Sequence, residues 1–173
     1  MTTEPEASAD RPKRQRRART TGRLAAVQAL YQIDVTEADS EAVIEDFVAH
    51  RLQEAVDGVQ YRAADREHFE RVVRGVSLVR DDVDDMLSAV LAEGWTVPRL
   101  EPLLRAIMRA AAFEIADLPD IPVRVVIGEY LAVAHAFFTE REPAMVNGVL
   151  DAIARALRPE ELEAGASDRP AAD

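Results

Sequence analysis

The stretch LLRAIMRAAAFEI, residues 103–115, indicates the class of fold through the spacing of its apolar residues. Leu103, Leu104, Ile107, Ala111 and Ile115 recur at intervals of three and four, which places them on one side of an α-helix. The segment is followed by Leu-Pro-Asp-Ile-Pro, a combination that ends helices. We therefore predict a helix here whose apolar side faces a core.

The same spacing recurs on both sides of this segment. The further apolar stripes fall within residues 24–31, 43–56, 69–79, 83–91, 126–138 and 145–157. Thr20 or Thr21 is expected to cap the first of these helices, because a hydroxyl can satisfy a free amide of the first turn. No window of comparable length alternates with period two. The sequence predicts an all-α fold of six or seven helices joined by short connections.

The composition narrows the class of function. The chain has 173 residues, enough for one domain, with 48% hydrophobic and 31% charged residues, as is typical of globular proteins. It has no cysteine, and its three histidines lie on separate predicted helices without metal-ligand spacing. It contains neither a phosphate-binding glycine loop nor a nucleophile elbow. We expect a cytoplasmic protein with no metal, no cofactor and no membrane span, and the sequence signals of catalysis are poor.

Basic residues are concentrated at one end of an acidic chain. The formal net charge is −11, yet seven of the 21 basic residues fall between residues 11 and 23, a segment without an acid. They are Arg11, Lys13, Arg14, Arg16, Arg17, Arg19 and Arg23. Arginine forks bind phosphates, which favours an anion and above all a nucleic acid, but the pattern alone does not separate RNA from DNA. A purely solubilising tail is the alternative. Residues 1–18 and 159–173 lack large apolar periodicity, so both are predicted to be disordered.

A group of four aspartates has two interpretations. Asp81, Asp82, Asp84 and Asp85 could bind a divalent cation or could begin a helix, whose first turn favours negative charge. The stripe of apolar residues that follows favours the helix start.

Four motifs in the same order resemble the NusB family of bacterial transcription antitermination factors. The opening RRARTTGRLAAVQALYQ contains the family's Ala-Val-Gln-Ala-Leu-Tyr, and LLRAIMRAAAFEI is similar to its Ile-Leu-Arg helix. DIPVRVVIGEYLAVAHAFF and MVNGVLDAIA are similar to the two helices that close the family's fold. The likeness covers about residues 19–158.

The resemblance implies an all-helical domain over residues 19–158, built from two packed three-helix subdomains. It implies a protein that binds boxA-type single-stranded RNA together with NusE, a small-subunit ribosomal protein, in the RNA polymerase antitermination complex. It leaves open whether the free protein is a homodimer. The implied RNA contacts combine the family motif with the neighbouring cations of the tail. They are Lys13, Arg14, Arg16, Arg17, Arg19, Arg23 and Tyr31. Arg23 is expected in the first turn of the opening helix, positioned before RNA arrives.

The resemblance also implies a partner surface that includes Met145 and Glu129. Glu129 has an alternative role inside the bundle, as an ion-pair partner of Arg109 or Arg105. The chain departs from the family at Thr20 and Thr21, where arginines are usual, at Gly128, where asparagine is usual, and at Met145, where phenylalanine is usual. A second hypothesis is a relative of the helical domain of ribosomal-RNA cytosine methyltransferases, here without the catalytic domain. A third is a DNA-binding helical regulator.

Overall fold

The computed structural model describes residues 6–52, 55–56, 59–60, 65–139 and 141–167. The chain divides into two compact units, Met1–Arg74 and Gly75–Asp173. The first unit contains helices α1 (Glu6–Thr36) and α2 (Ser40–Asp46), a π-helical turn (Phe47–Arg51) and most of α3 (Arg66–Leu78). Strands β1 (Ala55–Val56) and β2 (Val59–Gln60) pair antiparallel, with Val56 opposite Val59.

The second unit is helical throughout its described residues. After the last turn of α3 it contains five α-helices and one short 3-10 turn. They are α4 (Arg80–Val90), the 3-10 turn (Val97–Arg99), α5 (Pro102–Asp117), α6 (Val123–Phe137), α7 (Arg141–Leu157) and α8 (Pro159–Ser167). Helix α5 packs against α4, α6 and α7 and is buried along most of its length. It is the central element of this unit, and the helix predicted over residues 103–115 is confirmed.

The predicted all-α class is confirmed, and the periodic stripes form its buried faces. Val27 and Leu30 of α1, Ile107 of α5, and Val149 and Leu150 of α7 are all buried. These positions were identified only from the spacing of apolar residues. Their burial shows that this spacing predicts which side of each helix faces the core. The described residues form eight α-helices, one more than the upper predicted number.

Within the described residues, an extended α1 and an additional helix occupy parts of the two predicted disordered tails, whereas residues 1–5 and 168–173 of those tails lie outside the described residues. Helix α1 already begins at Glu6, and α8 occupies Pro159–Ser167. Neither segment carries an apolar stripe, so apolar periodicity could not reveal it. The basic segment is nevertheless rich in arginine, alanine and glutamine, which are good helix formers. Helix α8 is attached by polar contacts: Glu161 in its first turn accepts from the amide of Val123, the first residue of α6, and Arg158, which precedes α8, donates to the carbonyl oxygen of Ile121.

Two further predictions need correction. The second helix was expected to include Ala55 and Val56, but these residues form strand β1. The sequence after them, Asp57-Gly58, favours a two-residue hairpin turn, which explains why the helix does not continue. Thr20 and Thr21 do not cap α1, because they lie in its interior.

The predicted helix start at the aspartate group is confirmed. Helix α4 begins at Arg80 and carries Asp81 and Asp82 in its first turn. Asp84, one turn further on, accepts two hydrogen bonds from buried Arg109, at 2.7 and 2.8 Å. This acidic group therefore supports the bundle, with one of its carboxylates joining α4 to α5.

Candidate nucleic-acid interface

Four cations form an exposed basic surface near the start of α1. Lys13, Arg14, Arg16 and Arg17 are all exposed, and they lie in a helix rather than in a disordered tail. Residues three and four apart share a side of a helix, so Lys13, Arg16 and Arg17 form one group and Arg14 lies beside Arg17. We call these four residues the basic turn.

Thr20 and Thr21 follow the basic turn and are bonded back to it. The Thr20 hydroxyl donates to the carbonyl oxygen of Arg16, and the Thr21 hydroxyl donates to that of Arg17, both at 3.0 Å. Threonines inside helices often make this bond to the residue four positions earlier. Because the hydroxyl hydrogens are used within the helix, these two side chains do not offer those donors to a phosphate.

Arg19 lies against an acid from the start of α3. Its Nε is 3.6 Å from Asp65 Oδ2, with 39% of the arginine side chain exposed. Asp65 also caps α3, since its Oδ1 accepts from the amide of His68, and its own amide donates to the carbonyl of Ala18. Asp65 therefore ties α1 to α3 within the first unit and offsets part of the charge of Arg19. Sequence reasoning did not identify Asp65, because no local pattern links residues so far apart.

The predicted position of Arg23 is wrong. Arg23 was expected in the first exposed turn of the opening helix, but α1 begins at Glu6 and Arg23 is only 2% exposed. The error follows from the predicted helix start: a helix that begins earlier places residue 23 deep in its interior. A side chain buried to this extent does not present its charge to a phosphate at the surface.

Tyr31 lies far along the same side of α1. About eighteen residues separate it from Lys13, which is about five turns of an α-helix, or roughly 27 Å. The ring is 39% exposed, and Val35, one turn further on, is also exposed. Helix α1 thus carries cations at one end of an accessible side and an aromatic ring, able to stack on a base, towards the other.

Met145 lines a small groove in the second unit. The groove has a volume of about 360 Å³ and lies between the residues that precede α5 and the first turn of α7. Its apolar lining comes from Trp95, Leu104, Phe138 and Met145, and its charged lining from Arg99, Glu101, Arg141 and Glu142. Met145 is half-buried and Trp95 is exposed. From the sequence, the segment around Trp95 was interpreted only as a break between helices. An exposed tryptophan is also a signal of an interface.

Glu129 does not belong to this groove. Only 9% of it is exposed, which does not fit its prediction as a residue of a partner surface. The alternative, an ion pair with Arg109 or Arg105, stays a prediction. Its neighbour Gly128 is exposed, and a side chain added there would meet no atom within 4 Å. Gly128, which stands where the family usually has asparagine, therefore leaves open space beside the helix. No close contact at this position requires a glycine.

Nowhere in the described part of the chain do three or more histidine, aspartate or glutamate side chains gather so that they could hold a metal ion. Among the described residues, no helix combines the length and the apolar character needed to cross a bilayer.

Comparison with known proteins identifies the family. The sequence profile of the NusB family matches residues 20–155. Transcription antitermination protein NusB of Novosphingobium aromaticivorans is 47% identical over 142 residues, covering 82% of this chain and 96% of that protein. The protein of the same name from Gluconobacter oxydans is 48% identical over 143 residues, covering 81% of this chain and 88% of that protein.

Two solved structures share the fold. The structure of T. maritima NusB has a TM-score of 0.67 at 30% identity and covers 86% of this chain and 96% of its own. A chain in a structure described as a plectonemic RNA supercoil has the same TM-score at 21% identity, covering 79% and 94%, which supports the fold alone. The resemblance drawn from the four motifs is confirmed. By profile, by sequence identity and by fold, this chain belongs to the NusB family, whose named relatives are transcription antitermination proteins.

Proposed function

We propose that this protein is a transcription antitermination factor that binds boxA-type single-stranded RNA together with NusE, without catalysing a reaction. The observation that carries the RNA half of the proposal is the basic turn. Four exposed cations stand within five positions of one helix, residues 13–17, in a chain whose net charge is −11. The other 17 basic residues of the chain are outnumbered by the 32 acidic ones, so the rest of the chain repels nucleic acid.

A single strand fits this arrangement better than a duplex. The backbone of a single strand can follow the basic turn while its unstacked bases reach an aromatic ring such as Tyr31. A duplex would bring a high density of phosphates against the acidic remainder of the surface as well. The name and nearly complete coverage of the Novosphingobium relative favour antitermination over the methyltransferase-related hypothesis. A factor of this kind works on nascent RNA, and we place it in the cytoplasm.

The first prediction concerns removal of residues 1–17. The shortened protein should bind boxA-type RNA at least about tenfold more weakly at about 0.15 M salt, because phosphate contacts give affinity that depends on salt. If each of the four cations of the basic turn contacts one phosphate, the slope of log affinity against log salt should fall by about 2.8. Helical circular dichroism of the remaining residues and the melting temperature should change little, because residues 13–17 are exposed.

The measurement is a fluorescence-anisotropy titration at several salt concentrations, with the full-length protein as reference. Duplex DNA of equal length serves as the competitor. The proposal requires that the full-length protein prefers the single-stranded RNA. Equal affinity for both nucleic acids, or unchanged RNA affinity after the deletion, would contradict it.

The second prediction tests the groove around Met145 as the surface for NusE. Met145→Asp places a charge in a half-buried apolar lining, which costs about 2 kcal/mol if a bound partner excludes water. We expect binding to NusE to weaken by at least about tenfold while the protein remains folded. The matched control is Ala144→Asp, which adds the same charge at the exposed neighbouring position of α7 and should bind NusE normally.

Calorimetric titration with purified NusE measures both variants, and thermal melting shows whether they fold. An early melt of Met145→Asp would identify Met145 as a core residue instead. Equal loss of binding in both variants would mean that added charge on α7, rather than the groove, weakens the complex.

A further inference from the structure

We propose that α8 is a detachable strap that closes one side of a cleft between α6 and α7, with the Glu161 carboxylate as its latch. In the closed form α8 lies on the start of α6. In the open form it leaves α6 while the rest of the second unit stays folded. This device is separate from the proposed RNA binding, which involves α1 in the first unit.

The cleft that α8 borders has a volume of about 760 Å³ and lies between α6, α7 and α8. Helix α6 contributes Ile127 and Gly128, and nothing lies within 4 Å of the Cβ that a side chain at Gly128 would add. Helix α8 contributes one wall through Pro159, Leu162 and Glu163. Without α8 the cleft would therefore lose this wall and open to solvent.

Helix α8 is held on α6 mainly by hydrogen bonds. Glu161 Oε2 accepts from the Val123 amide at 2.9 Å, and Arg124 Nη2 donates to the Leu162 carbonyl oxygen at 3.0 Å. Helix α6 has no side-chain cap of its own at Pro122, so the Glu161 carboxylate caps it from α8. Because water competes for each of these hydrogen bonds, their net contribution is small, and few of them hold the helix.

A hinge of one residue precedes α8. Helix α7 ends at Leu157 and α8 begins at Pro159, so only Arg158 separates them. The Arg158 amide donates to the carbonyl oxygen of Ala154 in α7, and the Arg158 carbonyl oxygen accepts from the Glu161 amide in α8. Proline disfavours the helical conformation in the residue before it, so α8 is a separate helix rather than a continuation of α7.

Release of α8 is coupled to its unfolding, because a helix of nine residues is marginal in water by itself. Arg158 stays in place during release, since its Nη2 donates to the carbonyl oxygens of Pro119 and Ile121, which lie outside α8. Release leaves the Val123 amide and the Nε of Arg158 without the Glu161 carboxylate. The open form therefore presents uncompensated positive groups beside a widened cleft, whereas the closed form neutralises them.

The test follows α8 directly in the full-length protein. The chain contains no cysteine, so a spin label on Ala164→Cys, at an exposed position of α8, reports on this helix alone. The same label on Ala136→Cys, at an exposed position of α6, reports on the folded bundle. Electron paramagnetic resonance separates the slow motion of a docked helix from the fast motion of a released one.

Glu161→Gln removes the charge of the latch and keeps the size of the side chain. We expect it to raise the ratio of released to docked α8 at least about tenfold at neutral pH, because hydrogen bonds to a charged group are the stronger ones. The matched control is Glu160→Gln, which removes the same charge from the exposed neighbouring position of the same turn. It should change the ratio less than about threefold, since it alters only the charge at the start of the helix.

The label at residue 136 should keep its slow spectrum in both variants. If Glu161→Gln raised the ratio no more than Glu160→Gln does, Glu161 would not be the latch and the inference would be overturned. Loosening of the label at residue 136 together with that at residue 164 would also overturn it, because α8 would then leave only when the bundle unfolds. Since neither label measures RNA binding, failure of the proposed function would not change these results.

Discussion

Gly75→Ala should destabilise the second unit by roughly 2 kcal/mol, although alanine is a better helix former than glycine. Gly75 lies in the last turn of α3, and a Cβ added there would stand 2.1 Å from Cζ of Phe113 and under 3 Å from two further ring atoms. Ordinary contact begins at about 3.4 Å, so the ring would have to move by more than 1 Å. Phe113 is buried on α5, so its neighbours would have to move as well.

The size of this effect follows from two opposing terms. Overpacking of a buried site costs about 1–3 kcal/mol and occasionally more, and the severity of this contact places it at the upper end. The higher helix propensity of alanine offsets up to about 1 kcal/mol of this cost. For a protein of this length a net loss of 2 kcal/mol lowers the melting temperature by roughly 4–8 °C. Thermal and urea unfolding, followed by circular dichroism, measure the change.

Gly128→Ala is the matched control, because it makes the same substitution in a helix where nothing lies within 4 Å of the new Cβ. It should stabilise the protein by about 0.5–1 kcal/mol, so the two variants should move in opposite directions. Phe113→Leu shortens the ring that causes the clash, and Gly75→Ala should cost less in that background. If Gly75→Ala stabilised the protein as Gly128→Ala does, the close approach of the Phe113 ring to Gly75 would be rejected.

The fold could be predicted from the sequence wherever helix formation and burial coincide. Ile107 and Leu150 were assigned to buried faces, and both are buried. Apolar residues at intervals of three and four lie on one side of a helix, and such a side normally packs against a core. Helix α8 has no such face. It is attached through Arg158 and Glu161, and no periodic signal reveals a helix attached by polar contacts.

The candidate site could be predicted only as a group of cations. Their clustering in the sequence places the candidate site at the start of α1, but the role of each cation depends on what lies beside it. Arg19 faces Asp65, which is 46 positions away, and Arg23 is buried by tertiary packing. Both facts depend on long-range contacts and on the residue at which α1 begins. Helix boundaries are the least certain part of a prediction from pattern, and here a boundary decides which arginines reach the surface.

The polar attachment of α8 is a second place where one substitution should have a large effect. Arg158 is 7% exposed, and its Nη2 donates to the carbonyl oxygens of Ile121 at 2.8 Å and Pro119 at 3.3 Å. Its Nε donates to Glu161 Oε1 at 2.6 Å, and the other carboxylate oxygen of Glu161 accepts from the Val123 amide at 2.9 Å. The two side chains thus join the first turn of α8 to the first residue of α6.

This attachment should weaken in acid. The hydrogen bond from the Val123 amide, and after it the contacts with Arg158, hold the pKa of Glu161 below its ordinary value. A carboxylate with a lowered pKa in the folded state contributes stability above its ordinary pKa and loses it as the pH falls through the folded-state value. The stability advantage over Glu161→Gln should therefore be present at neutral pH and should shrink as the pH falls below about 4.5.

Arg158→Ala should destabilise the protein by roughly 2–3 kcal/mol. It leaves two backbone carbonyls without their donor and Glu161 without its partner. Removing one member of a buried ion pair costs about 3–5 kcal/mol, which we reduce because the Glu161 side chain is about one-third exposed. The matched control is Arg155→Ala, three residues earlier, whose ion pair with Asp151 lies within one turn at the surface and should contribute little to stability.

Hydrogen exchange locates the change that thermal unfolding measures. In Arg158→Ala the amides of α8 and of Val123 should exchange faster, whereas those of central α5 should keep their protection relative to global unfolding. In Arg155→Ala both sets should exchange as in the unmodified protein. Equal effects of the two substitutions would mean that α8 is not attached through Arg158. Helix α8 would then contribute as little to stability as the absence of an apolar stripe in its sequence had suggested.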